Sequence, residues 1–277
     1  MQLFKKLFDF YVNGSIHVAL AVYALSWVTL IEFDIPYDEN VLYFIFYASI
    51  TGYNFVKYFG LAKFHHRRLT TWLKVIQIFS LICFLALCYY AFHLQKPTLL
   101  FLLGLGLITF FYAVPFFPRN LVIDSNLNLR SVSGLKVYVI ALVWSGVTVF
   151  IPLINNNYDI NTDVILVAIQ RFILVLVLIL PFEIRDMRYD SLKLSTIPQK
   201  IGIKQTKLVG VLLLMVFLFL EYFKDIINPE KLIYLLIITI ILSLFLVFSR
   251  EKQNKCYSAF WVESLPIWWL ALLLLLG

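Results

Sequence analysis

Along nearly its whole length the chain repeats one pattern: an apolar run of about 20 residues, enough to cross a bilayer as a helix, then a short polar connection. A helix satisfies its own backbone in lipid, so runs of this kind read as membrane spans. The expected helices fall near 14–32, 40–60, 74–93, 97–115, 133–153, 163–181, 205–222, 230–248 and 260–276. The chain is thus expected to be an all-α, polytopic membrane helical bundle of nine transmembrane helices, forming one domain over 1–277. Hydrophobic residues make up 62% and charged residues 14%, against roughly 45–50% and 25% in a soluble domain. No stretch is left over for a soluble unit. The first run, Gly14 to Ile31, follows Lys5 and Lys6. It exceeds a signal-peptide core of about 7–15 residues and lacks a small-x-small cleavage pattern, so it reads as a retained helix.

The connections alternate in charge. One set carries Lys5/Lys6, Lys63/Arg67/Arg68, Arg119/Arg130, the Arg185 to Lys207 stretch and Arg250/Lys252/Lys255. Of 23 Lys and Arg, only Lys96, Lys224 and Lys231 fall in the other set, and Arg171 lies inside a helix. The positive-inside rule then predicts a cytoplasmic N-terminus, an outer C-terminus and a multi-pass protein of the plasma membrane. The net charge of +7 follows from this topology, and no nucleic-acid partner is implied. Cys83 and Cys88 sit in an apolar run and Cys256 in a basic loop, so packing, not a disulfide framework, is expected of them.

Function-prone residues concentrate around 54–74 and 183–207. In the second stretch, a continuing helix would put Asp186 and Asp190 one turn apart on one face, their Cβ atoms about 5–6 Å from each other. Two such carboxylates can share Mg²⁺, which is commonly held by one or two carboxylates, waters and substrate phosphates. Arg185, Arg188, Lys193 and Lys200 could meet phosphate oxygens left uncovered by the metal. A diphosphate is the ligand that wants both. The alternative is a solvated loop whose charges neutralise one another.

Arg185-Asp186-x-x-x-Asp190, followed by Lys193, Thr196-Ile197-Pro198 and Ile201-Gly202, resembles the second aspartate-rich motif of the UbiA superfamily of intramembrane prenyltransferases. In that family the pattern runs approximately RDxxxDxxxGxxTxPxxxG, after the sixth of nine helices. Tyr112-Ala113-Val114-Pro115, Arg119 and Lys136 also resemble the family's stretch between helices four and five. The resemblance implies transfer of an isoprenoid group from a polyprenyl diphosphate to an aromatic, quinone-precursor or otherwise apolar lipid acceptor, with Mg²⁺ as cofactor. It implies Asp186 and Asp190 as the catalytic, metal-holding pair, and Asn54, Lys57, Arg119, Lys136, Arg185 and Lys193 as diphosphate-binding residues.

The first motif of the family, NDxxDxxxD, departs. Asn54 matches, but Phe55, Tyr58 and Ala62 stand at the aspartate positions, beside Lys57, Lys63, His65, His66, Arg67 and Arg68. Leu194 replaces the glycine of the second motif. Two readings follow: cationic side chains replace one Mg²⁺, or the chain keeps the fold as a non-catalytic lipid- or partner-binding protein. A transporter is the lesser alternative, because no internal repeat is visible.

Arg171 is expected to face the bundle interior, since a lipid-facing charge costs at least ~2.5–3.5 kcal/mol at the helix centre, with Glu263 a possible partner. Adjacent His65 and His66 point in different directions on a helix and read as solvated or phosphate-facing. The Trp, Tyr and Phe residues suit interfacial anchoring and apolar cavities, Trp261, Trp268 and Trp269 among them.

Overall fold

The protein is described by a computed structural model covering residues 2–64, 71–113, 134–187, 196–225 and 228–276, with side chains described throughout except at 2, 3, 59–64, 71, 112 and 113. Among the described residues there is no strand. The order is α1 (Gln2–Asn13), α2 (Ile16–Glu32), α3 (Glu39–Phe64), α4 (Thr71–Ala91), α5 (Lys96–Ala113), α6 (Leu135–Ser145), α7 (Ile151–Asn155), α8 (Thr162–Asp186), α9 (Ile197–Ile201), α10 (Ile203–Phe219), α11 (Pro229–Phe248) and α12 (Leu265–Leu276). All nine expected segments are helical. Among the described residues, six helices are long and apolar enough to cross a membrane, or seven if α1 and α2 form one bent span. Length and apolarity alone therefore account for a multi-pass membrane protein of six or seven crossings; nine is not reached on that measure.

Two helices were not foreseen. Apolar Phe4, Leu7, Phe8 and Tyr11 alternate with Lys5, Lys6 and Asp9 at helical spacing, giving α1 the pattern of a helix lying in a membrane interface. It meets α2 at 56°, and Ser15 at the corner takes a left-handed conformation (φ 63). α9 begins with a capping box, in which Gln199 accepts from the Thr196 backbone. Two expected loops also shrink, because α3 runs on to Phe64 and α8 to Asp186.

Local rules place the other ends. Asn161 accepts from the Val164 N–H to start α8, and Asn228 before Pro229 accepts from Glu230 and Lys231 to start α11. α6 and α7 form one run, Leu135–Asn155, through a π-helical segment Gly146–Phe150. A second π segment, Tyr257–Val262, precedes α12. Each leads to a proline, Pro152 or Pro266. Proline removes the i→i−4 bond and crowds that carbonyl, and a widened turn relieves both.

α8 is the centre of the bundle: most of its side chains are buried, whereas those of the peripheral α4 are mainly exposed or half-buried. The main core joins α8 to α2, α6, α11 and α12, with Leu25, Leu174 and Leu242 among its fully enclosed side chains. α10 approaches closely at Gly210, where an added Cβ would run into Leu246 and Leu180. Gly210→Leu is therefore expected to overpack this contact and cost about 1–3 kcal/mol, read as a lower unfolding temperature in detergent. An unchanged midpoint would mean that α10 is loosely packed.

Polar residues gather at the two ends of the bundle. At one end Asp38 accepts from Asn155 (2.8 Å) and Asn156 (3.0 Å), and Asn155 accepts from the Gln95 backbone (3.1 Å). The starts of α3 and α5 and the finish of α7 therefore share this end. Nearby, Lys224 pairs with Glu32 at 2.6 Å and Glu221 at 2.7 Å. Burial by itself would lower the Lys224 pKa; the two carboxylates more than offset that and leave it raised. Arg171 is 2% exposed, donates to Thr29 (3.2 Å) and packs over Trp269. Its carboxylate neighbour is Glu32, at 3.9 Å, in place of the Glu263 considered from sequence, because Glu263 lies at the far end beside other cations.

Candidate functional site

At the opposite end α3 meets the α1–α2 corner. Asn54 is buried, accepts from the Ser15 hydroxyl (2.8 Å) and donates to the Gly14 carbonyl (3.1 Å) and Ser80 (2.8 Å). Lys57 donates to Ser15 (2.8 Å), and the Tyr58 hydroxyl donates to the Asn13 carbonyl (3.1 Å). Three side chains from the stretch aligned with the missing carboxylate motif thus hold a left-handed corner and the interfacial helix behind it. Buried amide groups without partners cost about 1–3 kcal/mol. Asn54→Leu is expected to lower stability by that order and to speed amide exchange at Gly14–Ala19. Unaltered exchange there would show that Asn54 does not hold the corner.

Lys57 also begins a cavity of about 600 Å³, within the range of about 300–1,000 Å³ typical of small-molecule sites. α2, α3, α5, α6 and α7 enclose it. Lys57 and Lys136 stand at one end; Phe44, Ile45, Leu102 and Ile151 lie toward the other. The walls between are mainly apolar, with Trp144 donating to the Tyr53 hydroxyl at 2.7 Å. An apolar slot with ammonium groups at one end has the chemistry to take an amphiphile with an anionic head.

Lys136 pairs with Glu183 at 3.2 Å. Glu183 is 1% exposed, and it sits one turn before Asp186 on α8. Arg185 donates to both oxygens of Asp186, at 2.7 and 3.0 Å, and to Ser258 at 2.7 Å. Its guanidinium also lies over the Phe182 ring. The Glu263 carboxylate is within Coulombic range of Lys57 and Arg185. The end of α8, the π segment before α12 and the inner end of α3 therefore converge.

No protein-family model matches this chain, and no curated protein does. A solved structure concerning digeranylgeranylglyceryl phosphate synthase in membranes aligns with 98% of this chain and 96% of that one, at 15% identity and a TM-score of 0.56. The fold is UbiA-like.

Counting α6–α7 as one run from α2 onward, α8 is the sixth helix of this UbiA-like bundle, and Asp186 ends it. Of the expected site residues, Lys57 and Lys136 share the cavity, while Arg185 and Asp186 form one ion pair beside it on α8. Asn54 faces the Gly14–Ser15 corner. Arg119, Asp190 and Lys193 lie outside the described residues, as do Arg67, Arg68 and both adjacent histidines. Glu183 went unassigned from sequence, although it stands three residues before Asp186 and that helical spacing could have found it. Ser15, Ser258 and Glu263 carried no local signal. They reach this region only through the packing of α2 and of the segment before α12.

Of the two carboxylates expected to hold Mg²⁺, Asp186 is the one within the described residues, so most of the ion's coordination would fall to water and phosphate oxygens. A carboxylate offers about four lone-pair positions, and Arg185 takes two of those on Asp186, whose side chain is 28% exposed. Among the described residues no three His, Cys, Asp or Glu side chains cluster as a metal cage. An ion here would be held by few protein ligands together with phosphate oxygens, the usual arrangement for Mg²⁺.

Proposed function

We propose that this protein is an integral-membrane prenyltransferase that moves an isoprenoid group from a polyprenyl diphosphate to an aromatic, quinone-precursor or lipid acceptor. The observation that carries this reading is the apolar cavity with Lys57 and Lys136 at one end, set in a UbiA-like bundle. An isoprenoid tail fits the apolar slot, and the diphosphate meets the two ammonium groups.

Arg185, Lys57 and Lys136 bind and orient the diphosphate, with Arg119 and Lys193 assigned to the same group. Asn54 serves it by fixing the corner on which Lys57 rests. Asp186 and Asp190 would hold Mg²⁺, which when bound neutralises charge on the departing diphosphate. In the transfer the carbon–oxygen bond to diphosphate breaks and its electron pair leaves with that oxygen. The acceptor supplies the pair for the new bond and releases a proton to water. Cations aimed at the leaving oxygens stabilise that charge where it develops, and the apolar wall keeps water from the reacting carbon.

The test is transfer in membranes, with labelled polyprenyl diphosphates and a panel of aromatic and quinone-precursor acceptors, with and without Mg²⁺. Transfer dependent on Lys57, Lys136 and Asp186 supports the reading. Tight diphosphate binding with no transfer to any acceptor moves the protein to a non-catalytic lipid-binding role. That second reading draws on the α3 stretch, whose Asn54, Lys57 and Tyr58 bond to a structural corner.

The site belongs on the cytoplasmic face of the plasma membrane, with the N-terminus inside and the C-terminus outside. Reporter fusions after Asp38, Asn156 and Asp225 are expected to report the outer face. Fusions after His66, Lys193 and Lys252 are expected to report the cytoplasm. Reversal at the last three would put the cationic end on the wrong side for a cytosolic diphosphate.

A further inference from the structure

Two wall positions of the cavity carry no side chain. Gly52 on α3 and Gly106 on α5 both line it, and a Cβ built on either meets nothing within 4 Å. Both helices start at the same polar end, where Asp38 and Gln95 bond to Asn155, so they run parallel. At ~1.5 Å per residue, Gly52 stands about 20 Å and Gly106 about 15 Å from those starts. Gly106 therefore lies about 5 Å farther from the lysine end than Gly52. By the same measure, the wall from Lys57 to Phe44 is about 20 Å long, and Gly52 comes about 7 Å along it.

We propose that Gly52 and Gly106 set the length of the isoprenoid tail that this protein accepts, by leaving open the part of the cavity beyond them. The proposal rests on the prenyl-diphosphate reading for its headgroup. An isoprene unit adds four main-chain bonds of about 1.5 Å, or roughly 5 Å along an extended chain. A two-unit geranyl tail anchored at the lysines, about 10 Å long, passes Gly52 and ends short of Gly106. A four-unit geranylgeranyl tail must pass between them to reach Phe44 and Ile151. Side chains in place of hydrogen at these positions would fill the passage without clashing with the protein, and any residue but proline extends a helix at least as well as glycine.

Binding of geranyl and geranylgeranyl diphosphate to the full chain in detergent tests this, using wild type, Gly52→Phe, Gly106→Phe and Gly104→Phe. Gly104 also meets open space but is not part of the cavity wall. The Gly106 variant is expected to lose about tenfold or more in geranylgeranyl diphosphate affinity, while geranyl diphosphate stays within about twofold; the Gly52 variant, whose side chain stands beside both tails, is expected to weaken both, geranylgeranyl diphosphate the more. Gly104→Phe is expected to leave both ligands unaffected. Equal weakening of both ligands, or no change in either, overturns the proposal. Geranylgeraniol and geraniol, which carry the tails without the diphosphate, separate the two readings. If alcohols bind as well as diphosphates and the glycine variants still discriminate by length, the slot stands and the diphosphate site falls. If diphosphates bind far better than alcohols but length preference ignores the glycines, the slot proposal falls alone.

Discussion

Asp186→Asn is expected to lower transfer by about 10²–10³-fold, the ~2.7–4 kcal/mol typical of losing one transition-state electrostatic contact. The substitution keeps size but removes the charge that Arg185 bridges at 2.7 and 3.0 Å. It also removes the negative oxygen that Mg²⁺ requires. Folding should survive, because the Asp186 side chain is 28% exposed and a partly solvated pair contributes little to stability. Arg185 keeps Ser258 as a partner in the variant. Lys57→Met is expected to differ in kind, weakening diphosphate binding while leaving the Mg²⁺ dependence of the remaining activity as it was. Rates within twofold of wild type for Asp186→Asn, measured at saturating diphosphate, would remove this carboxylate from the chemistry.

The largest stability effect is expected at the other end of the bundle, and it should be asymmetric. Glu32→Gln strips the counter-charge from the enclosed Arg171, whose Nε and one terminal nitrogen already lack a hydrogen-bond partner. Breaking a buried pair from one side costs about 3–5 kcal/mol. Arg171→Met should cost less, because Glu32 keeps its shorter pair with Lys224, 2.6 Å against 3.9 Å, and Met refills the apolar volume beside Trp269. The double variant should then recover part of the Glu32→Gln loss, a coupling that a double-mutant cycle measures directly. Unfolding midpoints in detergent decide the matter. A larger loss for Arg171→Met than for Glu32→Gln would mean that Arg171 anchors the network and Glu32 does not.

Much of this was legible in the chain because membrane folding imposes local rules. Backbone satisfaction in lipid demands long apolar helices, so all nine helical segments could be located from apolar runs and the polar residues between them. Asn161 and Asn228 mark helix starts through side chains that act within a few residues. The expectation that Arg171 faces inward follows from the cost of a charge in hydrocarbon, and needs no partner to be named. The resemblance to an aspartate-rich motif singled out Arg185 and Asp186, although the sixth helix was expected to end at 181 and in fact runs on to Asp186.

Tertiary structure decided what those residues touch. A linear reading offered Glu263 as the partner of Arg171, and only the packing of α2 against α8 and α12 selects Glu32. The role of Asn54 changed in the same way: its sequence position points to a ligand site, yet its amide binds the Gly14–Ser15 corner brought to it by the bend between α1 and α2. The cavity itself has no sequence signal. It lies between α2, α3, α5, α6 and α7, with Gly52 and Gly106 in its wall, and volume left empty is a property of several helices together. The sequence determined which segments enter the membrane and which charges must find partners; the arrangement of the helices determined the partners and the shape of the slot, because pairing and enclosure act across distances that local propensities do not reach.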